Sequence, residues 1–232
     1  MSDETRVAAP IAVQCSGVGK AYRDGEAEIT ALSEFSFEFA TGELTAVTGP
    51  SGSGKSTLLS ILAAIEYADE GRVEIGATEL GTLSAIEQAE FRASTISYLF
   101  PDNNLIPMLS VYENITLALS VKRLPESEVD RRTRAALSSL GIEELASRRP
   151  AKLSSGQRSR AALAAAIASE NPVLIIDEPT ARLDAANAAT VAGLLRDIAT
   201  RDRRCVIVAT HDPLVTSSAT VSVNLREGRT AT

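Results

Sequence analysis

The spacing of apolar and polar positions changes several times along the first third of the chain. Phe35, Phe37 and Phe39 alternate with polar residues, which is the period of a half-buried strand, and Gly42 marks a turn into a second strand, ELTAVTG. The later segment STLLSILAAIE has the composition and spacing of a buried helix, and GRVEIG predicts another short strand. This third is therefore expected to be rich in β-structure around one buried helix.

Residues 111–149 have the pattern of helices. Pro125 is well placed for a first helical turn, Leu137 and Leu140 share a face with Ala136, and Gly141 fits a helix C-cap. We expect a helical insertion at about 100–155.

The last third alternates helices with short apolar strands. Helices are predicted at about 157–169 and 184–200, and strands at VLIID, CVIVAT and TVSVNL. Continuous apolar runs that alternate with helices indicate buried parallel strands. The fold class is therefore α/β, with a parallel sheet, an antiparallel part from the first third, and the helical insertion. Residues 1–10 are expected to form a flexible tail, and 11–232 a single domain.

Charge and apolar composition narrow the possible partners. The 23 basic and 30 acidic residues give a net charge of −7, and the basic residues form no long run, so no nucleic-acid partner is expected. No stretch approaches the roughly 18 apolar residues of a membrane-spanning helix, and the N-terminus lacks the basic start of a signal peptide. We expect a cytoplasmic location.

The segment GPSGSGKST carries the Walker A pattern between a predicted strand and a predicted helix. Its glycines let backbone N–H groups point at phosphates, Lys55 can reach the outer phosphates of ATP, and Ser56 offers a hydroxyl to Mg²⁺. The alternative is a glycine-rich turn without a ligand. The predicted nucleotide-binding residues here are Gly49, Ser51, Gly52, Ser53, Gly54, Lys55, Ser56 and Thr57.

Two acidic residues and a histidine follow predicted parallel strands. Asp177 and Glu178 end VLIIDE, where Asp177 can hold Mg²⁺ and Glu178 can orient or deprotonate a water. His211 follows CVIVAT, so it is expected at the same edge, where it can hydrogen-bond a γ-phosphate. Taken singly, the acids fit a solvated strand end, and the histidine a surface or core position.

The order of Walker A, LSSGQ, VLIIDEPTARLD and ATHD resembles that of the ATP-binding subunits of ABC transporters, from about Val13 to Arg229. The stretches LIPMLSVYENITLAL and EGRVEIGATELGTLS look like the MacB, LolD and FtsE type, whose members work with permeases that export or extract substrates. By itself LSSGQ is only a good helix N-terminus. The resemblance implies a P-loop NTPase with a RecA-like parallel sheet core, an antiparallel β subdomain and a helical subdomain.

The resemblance also implies a function. Two ATPase subunits of this type pack head to tail as a homodimer, so Ser154, Ser155, Gly156 and Gln157 are expected to hold the γ-phosphate of the ATP bound by the other copy. Glu178, His211 and Lys55 become the catalytic residues, and Ser56 and Asp177 the Mg²⁺ ligands. Two transmembrane permease subunits complete a complex on the inner face of the membrane, and the groove near residues 91–115 is expected to receive the permease.

Four further positions carry roles only through the resemblance. Tyr22 resembles the aromatic residue that stacks on adenine, although an isolated tyrosine is more often a packing residue. The segment ARLD, which contains Asp184, resembles the family's loop that senses the partner subunit. Asp184 also fits the N-cap of the following helix. Ser155 stands where the family usually has glycine, and Pro101 where it has a glutamine that touches Mg²⁺ and the attacking water. Either Asp102 or Asn103 replaces that glutamine, or coupling to the permease differs.

Three other functions stay open at this point. An FtsE-like ATPase that regulates cell-wall enzymes through a membrane partner is the main alternative. A DNA-repair or chromosome ATPase is disfavoured, because too few residues separate Lys55 from Leu153 for a long coiled coil and the net charge is negative. The loss of the glutamine keeps a non-hydrolysing nucleotide-binding module under consideration. The transported substrate is chosen by the membrane subunit, and the direction of transport stays open.

Overall fold

The computed structural model describes residues 10–25, 27–102 and 104–231. The expected flexible tail at 1–10 lies outside these residues except for Pro10. The strands are β1 Ile11–Asp24, β2 Ala27–Ala40, β3 Leu44–Thr48, β4 Glu70–Ile75, β5 Thr78–Glu79, β6 Ile96–Leu99, β7 Val173–Asp177, β8 Cys205–Ala209, β9 Val221–Arg226 and β10 Arg229–Ala231.

Seven α-helices lie between these strands in the described part of the chain. They are α1 Lys55–Leu62, α2 Ala85–Thr95, α3 Val111–Ser120, α4 Glu126–Ser139, α5 Ser155–Ala168, α6 Ala185–Thr200 and α7 Pro213–Ser218. Helices α3 and α4 occupy the segment where a helical insertion is expected. None of the described helices combines the length and the apolar character needed to cross a membrane.

The strands form two sheets over the described residues. One is antiparallel, with the order β2-β1-β4-β5. The other has the order β10-β9-β3-β8-β7-β6, and its strands pair in parallel except β10, which pairs with β9 in the antiparallel sense. The predicted combination of a parallel sheet and an antiparallel sheet is confirmed.

The register of the parallel sheet brings three strand ends to one level. Ala209 at the end of β8 pairs with Val47 on one side and with Asp177 on the other. Because the carboxyl ends of parallel strands meet at one edge, the loops that follow β3, β7 and β8 begin side by side. This edge therefore carries every catalytic residue predicted from the sequence.

Alternate residues of the parallel strands belong to two apolar clusters. Leu174 and Ile176 pack in a cluster with residues of α3 to α6, whereas Ile175 packs in a cluster with α1 and the antiparallel sheet. Strands β7 and β8 are buried along their whole length, which explains their continuous apolar sequence. Helix α1 is thus enclosed by apolar side chains, and its first turn is held rigidly at the edge of the sheet.

Two helix boundaries differ from the predicted ones for local reasons. Helix α1 ends at Leu62 rather than continuing through Glu66, because Ala64 takes a left-handed backbone with φ 53° and stops it. Pro125 is the N-cap of α4 rather than its first helical residue. Gly141 has φ 58°, as a helix C-cap requires, and the apolar face at Ala136, Leu137 and Leu140 is buried.

Candidate active site

The loop between β3 and α1 has a backbone that only glycine permits at two positions. Gly49 has φ 146° and Gly54 has φ 96°. A Cβ on Gly49 would lie 2.2 Å from the Leu225 carbonyl oxygen, and one on Gly54 would lie 2.2 Å from the Ala31 carbonyl oxygen. The loop is therefore packed closely against neighbouring backbone, which fixes its curvature at the start of α1.

Lys55 opens α1 and folds back over this loop. Its Nζ donates to the carbonyl oxygens of Gly49 and Pro50 at 2.8 and 2.9 Å. No side chain caps the first turn of α1, because the N-cap residue is Gly54. Helix N–H groups and an ammonium that point to one place form an anion site suited to phosphates.

Ser53, within the loop, carries a further unused polar group. Its side-chain oxygen is buried and has no hydrogen-bond partner among the described residues. A buried hydroxyl without a partner is costly unless a ligand satisfies it. The loop therefore fits a polar anion and would bind it with both backbone and side-chain donors.

Ser56 and Asp177 bring two oxygen ligands together across the sheet edge. Ser56 Oγ donates to Asp177 Oδ2 at 2.7 Å, and Asp177 is only 3% exposed. Burial raises the pKa of Asp177; the Ser56 hydrogen bond opposes this shift and the Glu178 charge adds to it. A buried carboxylate beside a hydroxyl suits Mg²⁺, which binds few protein oxygens and keeps several waters, so these residues fit that ion.

Glu178 follows β7 with an unusual backbone and a half-satisfied carboxylate. Its φ is 52°, and its N–H donates to the Ala209 carbonyl oxygen at 2.9 Å, so the turn is tied to β8. Oε1 lies 2.8 Å from His211 Nδ1, whereas Oε2 is buried without a partner among the described residues. A carboxylate only accepts hydrogen bonds, so Nδ1 is the donor in this contact when Glu178 is ionised. Oε2 therefore keeps an unused acceptor capacity.

The LSSGQ segment forms the start of α5 through a reciprocal cap. Ser154 Oγ accepts from the Gln157 N–H at 3.2 Å, and Gln157 Oε1 accepts from the Ser154 N–H at 3.0 Å. Gly156 leaves room for the chain at Arg182, whose carbonyl oxygen would lie 3.3 Å from an added Cβ. The predicted helix start is confirmed. We call residues 154–157 the signature turn.

A polar cleft of about 240 Å³ opens beside the signature turn. Its lining residues are Ser154, Ser155, Gly156, Gln157, Arg160, Arg182, Leu183, Asp184 and Asn187. Asp184 also caps α6, where its side chain accepts from the Asn187 N–H at 2.9 Å. None of residues 49–57 lines this cleft, so the signature turn and the loop at 49–57 do not share it within a single copy of the chain.

In the loop that contains Pro101, Asp102 pairs with Arg182. Asp102 is exposed, and its Oδ1 lies 3.5 Å from a guanidinium nitrogen of Arg182, in the segment that leads from Glu178 to α6. No bond joins Asp102 to Ser56 or Asp177 among the described contacts. Asn103, the other proposed replacement for the family glutamine, lies outside the described residues.

Tyr22 lies on β1, next to the start of α1. Its hydroxyl is 3.4 Å from Thr57 Oγ1 and donates to Glu66 Oε2 at 2.5 Å, while 39% of the residue is exposed. Tyr22, on the antiparallel sheet, thus lies beside residues 49–57, which we call the phosphate loop. Sequence reasoning missed Glu66 and Arg182, because an isolated charged residue near the end of a helix or within a loop gives no pattern.

Comparison with known proteins identifies the family. The sequence model for ABC transporters matches residues 32–181, the span that begins on β2, includes the phosphate loop and the signature turn, and ends after Glu178. This chain belongs to the ABC transporter family. It is accordingly an ABC-type ATPase, the ATP-binding and hydrolysing subunit of a transporter.

Relatives extend the similarity over almost the whole chain. The lipoprotein-releasing system ATP-binding protein LolD of Nitrobacter hamburgensis is 35% identical over 211 residues, which are 91% of each chain. The ABC transporter cassette MJ0796, in a dimeric post-hydrolysis state with ADP and Pi, is 32% identical with a TM-score of 0.90, covering 95% of this chain and 97% of that one. CbiO1 from Clostridium perfringens, part of the transporter complex CbiONQ, is 31% identical with a TM-score of 0.82, covering 96% and 88%.

Proposed function

We propose that this ABC ATPase powers a MacB/LolD-like exporter or extractor from the cytoplasmic face of the membrane. The observation that carries the ATPase part of the proposal is the meeting of Ser56, Asp177, Glu178 and His211 at one sheet edge beside the phosphate loop. The similarity to the LolD relative over nine-tenths of both chains supports the subfamily.

Each residue of the loop then has a role in holding ATP. Lys55 exchanges its bonds to Gly49 and Pro50 for the outer phosphates, and the N–H groups of the α1 start bind the same phosphates. Ser56 and Asp177 would hold Mg²⁺, which neutralises charge on the phosphates when bound. Tyr22 supports the adenine.

Glu178 acts as the general base for the attacking water. Its Oε2 is buried without a partner among the described residues, so it is the oxygen left to accept a proton from a water admitted to the site, while the contact with His211 keeps Oε1 in place. If His211 also donates to the γ-phosphate through Nε2, it must carry both ring protons and act as a cation. His211 would then stabilise the negative charge that hydrolysis develops on the phosphate.

Two copies of the chain are needed to complete each site. The cleft at the signature turn contains no residue of the phosphate loop, so these two segments meet only if a second copy brings its signature turn to the nucleotide. Ser154, Ser155, Gly156 and Gln157 hold the γ-phosphate in this arrangement. We place a homodimer in a complex with two permease subunits; the MJ0796 relative is itself dimeric.

An open groove of about 490 Å³ is the proposed permease site. It runs beside the Pro101 loop and includes the partly exposed apolar side chains of Ile106, Leu117 and Val121. Exposed apolar surface in a groove marks an interaction site. A permease segment bound here would hold the ATPase at the inner face of the membrane.

The test is ATP hydrolysis by the purified chain with and without its permease, which would be sought among the membrane proteins encoded near its gene. We expect Mg²⁺-dependent hydrolysis that changes when the permease is added in lipid vesicles. A permease that proves to bind a cell-wall hydrolase and no transported molecule would replace the transport proposal by the FtsE-like one. The absence of hydrolysis under both conditions would leave a nucleotide-binding module instead.

A further inference from the structure

Tyr22 is fixed in place by residues outside every recognised motif. Its hydroxyl donates to Glu66 Oε2 at 2.5 Å, a shorter contact than the 3.4 Å to Thr57 Oγ1. Burial and the bond to Glu66 raise the pKa of Tyr22, so the phenol keeps its proton and remains a donor. The orientation of the ring therefore depends on Glu66.

Glu66 itself stands on a rigid support. It lies in the turn that ends α1, where the N–H groups of Ile65 and Glu66 both donate to the Ser60 carbonyl oxygen, at 3.0 and 3.3 Å. The backbone at Ala64 is left-handed, which fixes the direction in which the chain leaves the helix. The carboxylate is thus attached to the helix that carries Lys55.

A second group holds the ring from the strand side. Lys20 Nζ lies over the Tyr22 ring, 5.8 Å from its centroid, and is itself paired with Asp69 at 2.8 Å. Asp69 also accepts from the Ala21 N–H at 2.9 Å, which ties the strand next to Tyr22 to the same carboxylate. The ring remains partly exposed to a ligand, while its hydroxyl end is bound.

The negative charge of the Glu66 carboxylate is unsuited to binding phosphate. A carboxylate close to Thr57 repels a triphosphate instead of binding it, and it bonds to Tyr22 rather than to Lys55. What the carboxylate supplies is a fixed acceptor for the phenol. A planar side chain held at its polar end presents its face in a defined direction, which lowers the entropy lost when a base stacks on it.

We propose that Glu66 is a positioning residue for the nucleotide base, acting through Tyr22. The inference rests on the proposed role of Tyr22 as the base platform. Glu66 does not touch the nucleotide; it sets the ring of Tyr22 against α1 so that base and phosphates are bound in one geometry. Loss of the carboxylate should therefore weaken binding only of ligands that carry a base.

The experiment measures the affinity of the full chain for ATP and for inorganic tripolyphosphate by calorimetry. Stacking of a base on an aromatic ring predicts that Tyr22→Ala weakens ATP binding by about 5- to 150-fold. Glu66→Ala leaves the ring in place but free to turn, so we expect a smaller loss, about 3- to 10-fold, for ATP and no loss for tripolyphosphate. Glu66→Gln, which keeps an acceptor, should bind ATP almost like the parent.

Two further variants separate positioning from general effects. Tyr22→Phe removes the donor, so adding Glu66→Ala to it should cause no further loss. Glu28→Ala is the matched charge control, because Glu28 is exposed on β2 and pairs across the strands with Arg23, next to Tyr22. Circular dichroism and a thermal melt confirm that each variant is folded.

The outcomes test the role of Tyr22 and the role of Glu66 separately. If Tyr22→Ala weakens ATP binding but Glu66→Ala does not, the positioning role of Glu66 is wrong and the platform role stands. If Tyr22→Ala has no effect on ATP affinity, both are wrong. An equal loss for ATP and tripolyphosphate in Glu66→Ala would mean that the residue supports the phosphate loop, which also overturns the proposal.

Discussion

Glu178→Gln tests the proposed chemistry with the smallest change that the site allows. Glutamine has the same shape as glutamate. In the parent chain His211 Nδ1 lies 2.8 Å from Glu178 Oε1, and the amide oxygen of glutamine can accept a hydrogen bond at that position. The lost group is the basic oxygen. Removing a general base lowers the rate of hydrolysis by about 10²- to 10⁴-fold, which corresponds to about 3–5 kcal/mol in the activation barrier.

The same substitution should have little effect on binding and stability. The new amide nitrogen would replace Oε2, which is buried without a partner among the described residues. An unpaired amide there destabilises the fold by at most about 1–3 kcal/mol. Removing a largely buried negative charge offsets part of this destabilisation. Glu178 also helps to raise the pKa of Asp177, so its neutralisation lowers that pKa and favours the ionised metal ligand. Nucleotide affinity should therefore be kept.

The assay combines phosphate release, nucleotide affinity and size-exclusion chromatography with ATP. We expect slow release, parent-like affinity and a dimer that ATP traps. Glu34→Gln is the matched control, because Glu34 also has a left-handed backbone but is exposed on β2. Hydrolysis at the parent rate in Glu178→Gln would show that another group is the base, and a parallel loss of ATP affinity would show that the residue acts in binding.

Four further substitutions address the other parts of the site. Lys55→Ala removes the cation that faces the outer phosphates and should abolish ATP binding, as measured by calorimetry; undiminished binding would contradict the assignment of the loop. Ser154→Arg should keep ATP binding but block hydrolysis that depends on the dimer, and the trans role of the signature turn is wrong if hydrolysis survives. We expect the isolated subunit to hydrolyse ATP slowly; Pro101→Gln should raise this rate, whereas Asp102→Ala should lower it if Asp102 replaces the glutamine. Parent-like rates and permease stimulation in both variants would show that this loop has no part in chemistry or coupling.

The sequence predicts the site best where a motif must follow a strand and start a helix. The phosphate loop and the ends of β7 and β8 carry such patterns, because parallel strands are buried apolar runs with polar residues at one end. The start of α5 follows a 3-10 turn and is instead marked by its helix cap. Tertiary contacts between distant positions carry no such pattern. The pairing of Asp102 with Arg182 and of Tyr22 with Glu66 depends on how loops from different elements meet.

Elements with weak periodicity were also missed. Strand β1 has register shifts near Val18 and Lys20, which interrupt the alternation of inward and outward side chains. Helix α2 is hard to predict because its only buried residue is the polar Gln88, so it has no apolar stripe. In both cases the packing of neighbouring elements determines the structure more than the local sequence does.

The proposed nucleotide site has parts on both sheets, so a bound nucleotide would connect them. Tyr22 belongs to the antiparallel sheet, whereas the phosphate loop and Asp177 belong to the parallel one. A nucleotide whose base stacks on the antiparallel sheet and whose phosphates bind the parallel sheet would link the two sheets. At a concentration of a hundred times its dissociation constant, such a ligand raises the free energy of unfolding by about 2.7 kcal/mol. Amide hydrogen exchange in β1 and β2 should therefore slow more with ATP than with tripolyphosphate at equal saturation. Each round of hydrolysis and release would remove this added link, while the shared apolar cluster keeps the two sheets packed together.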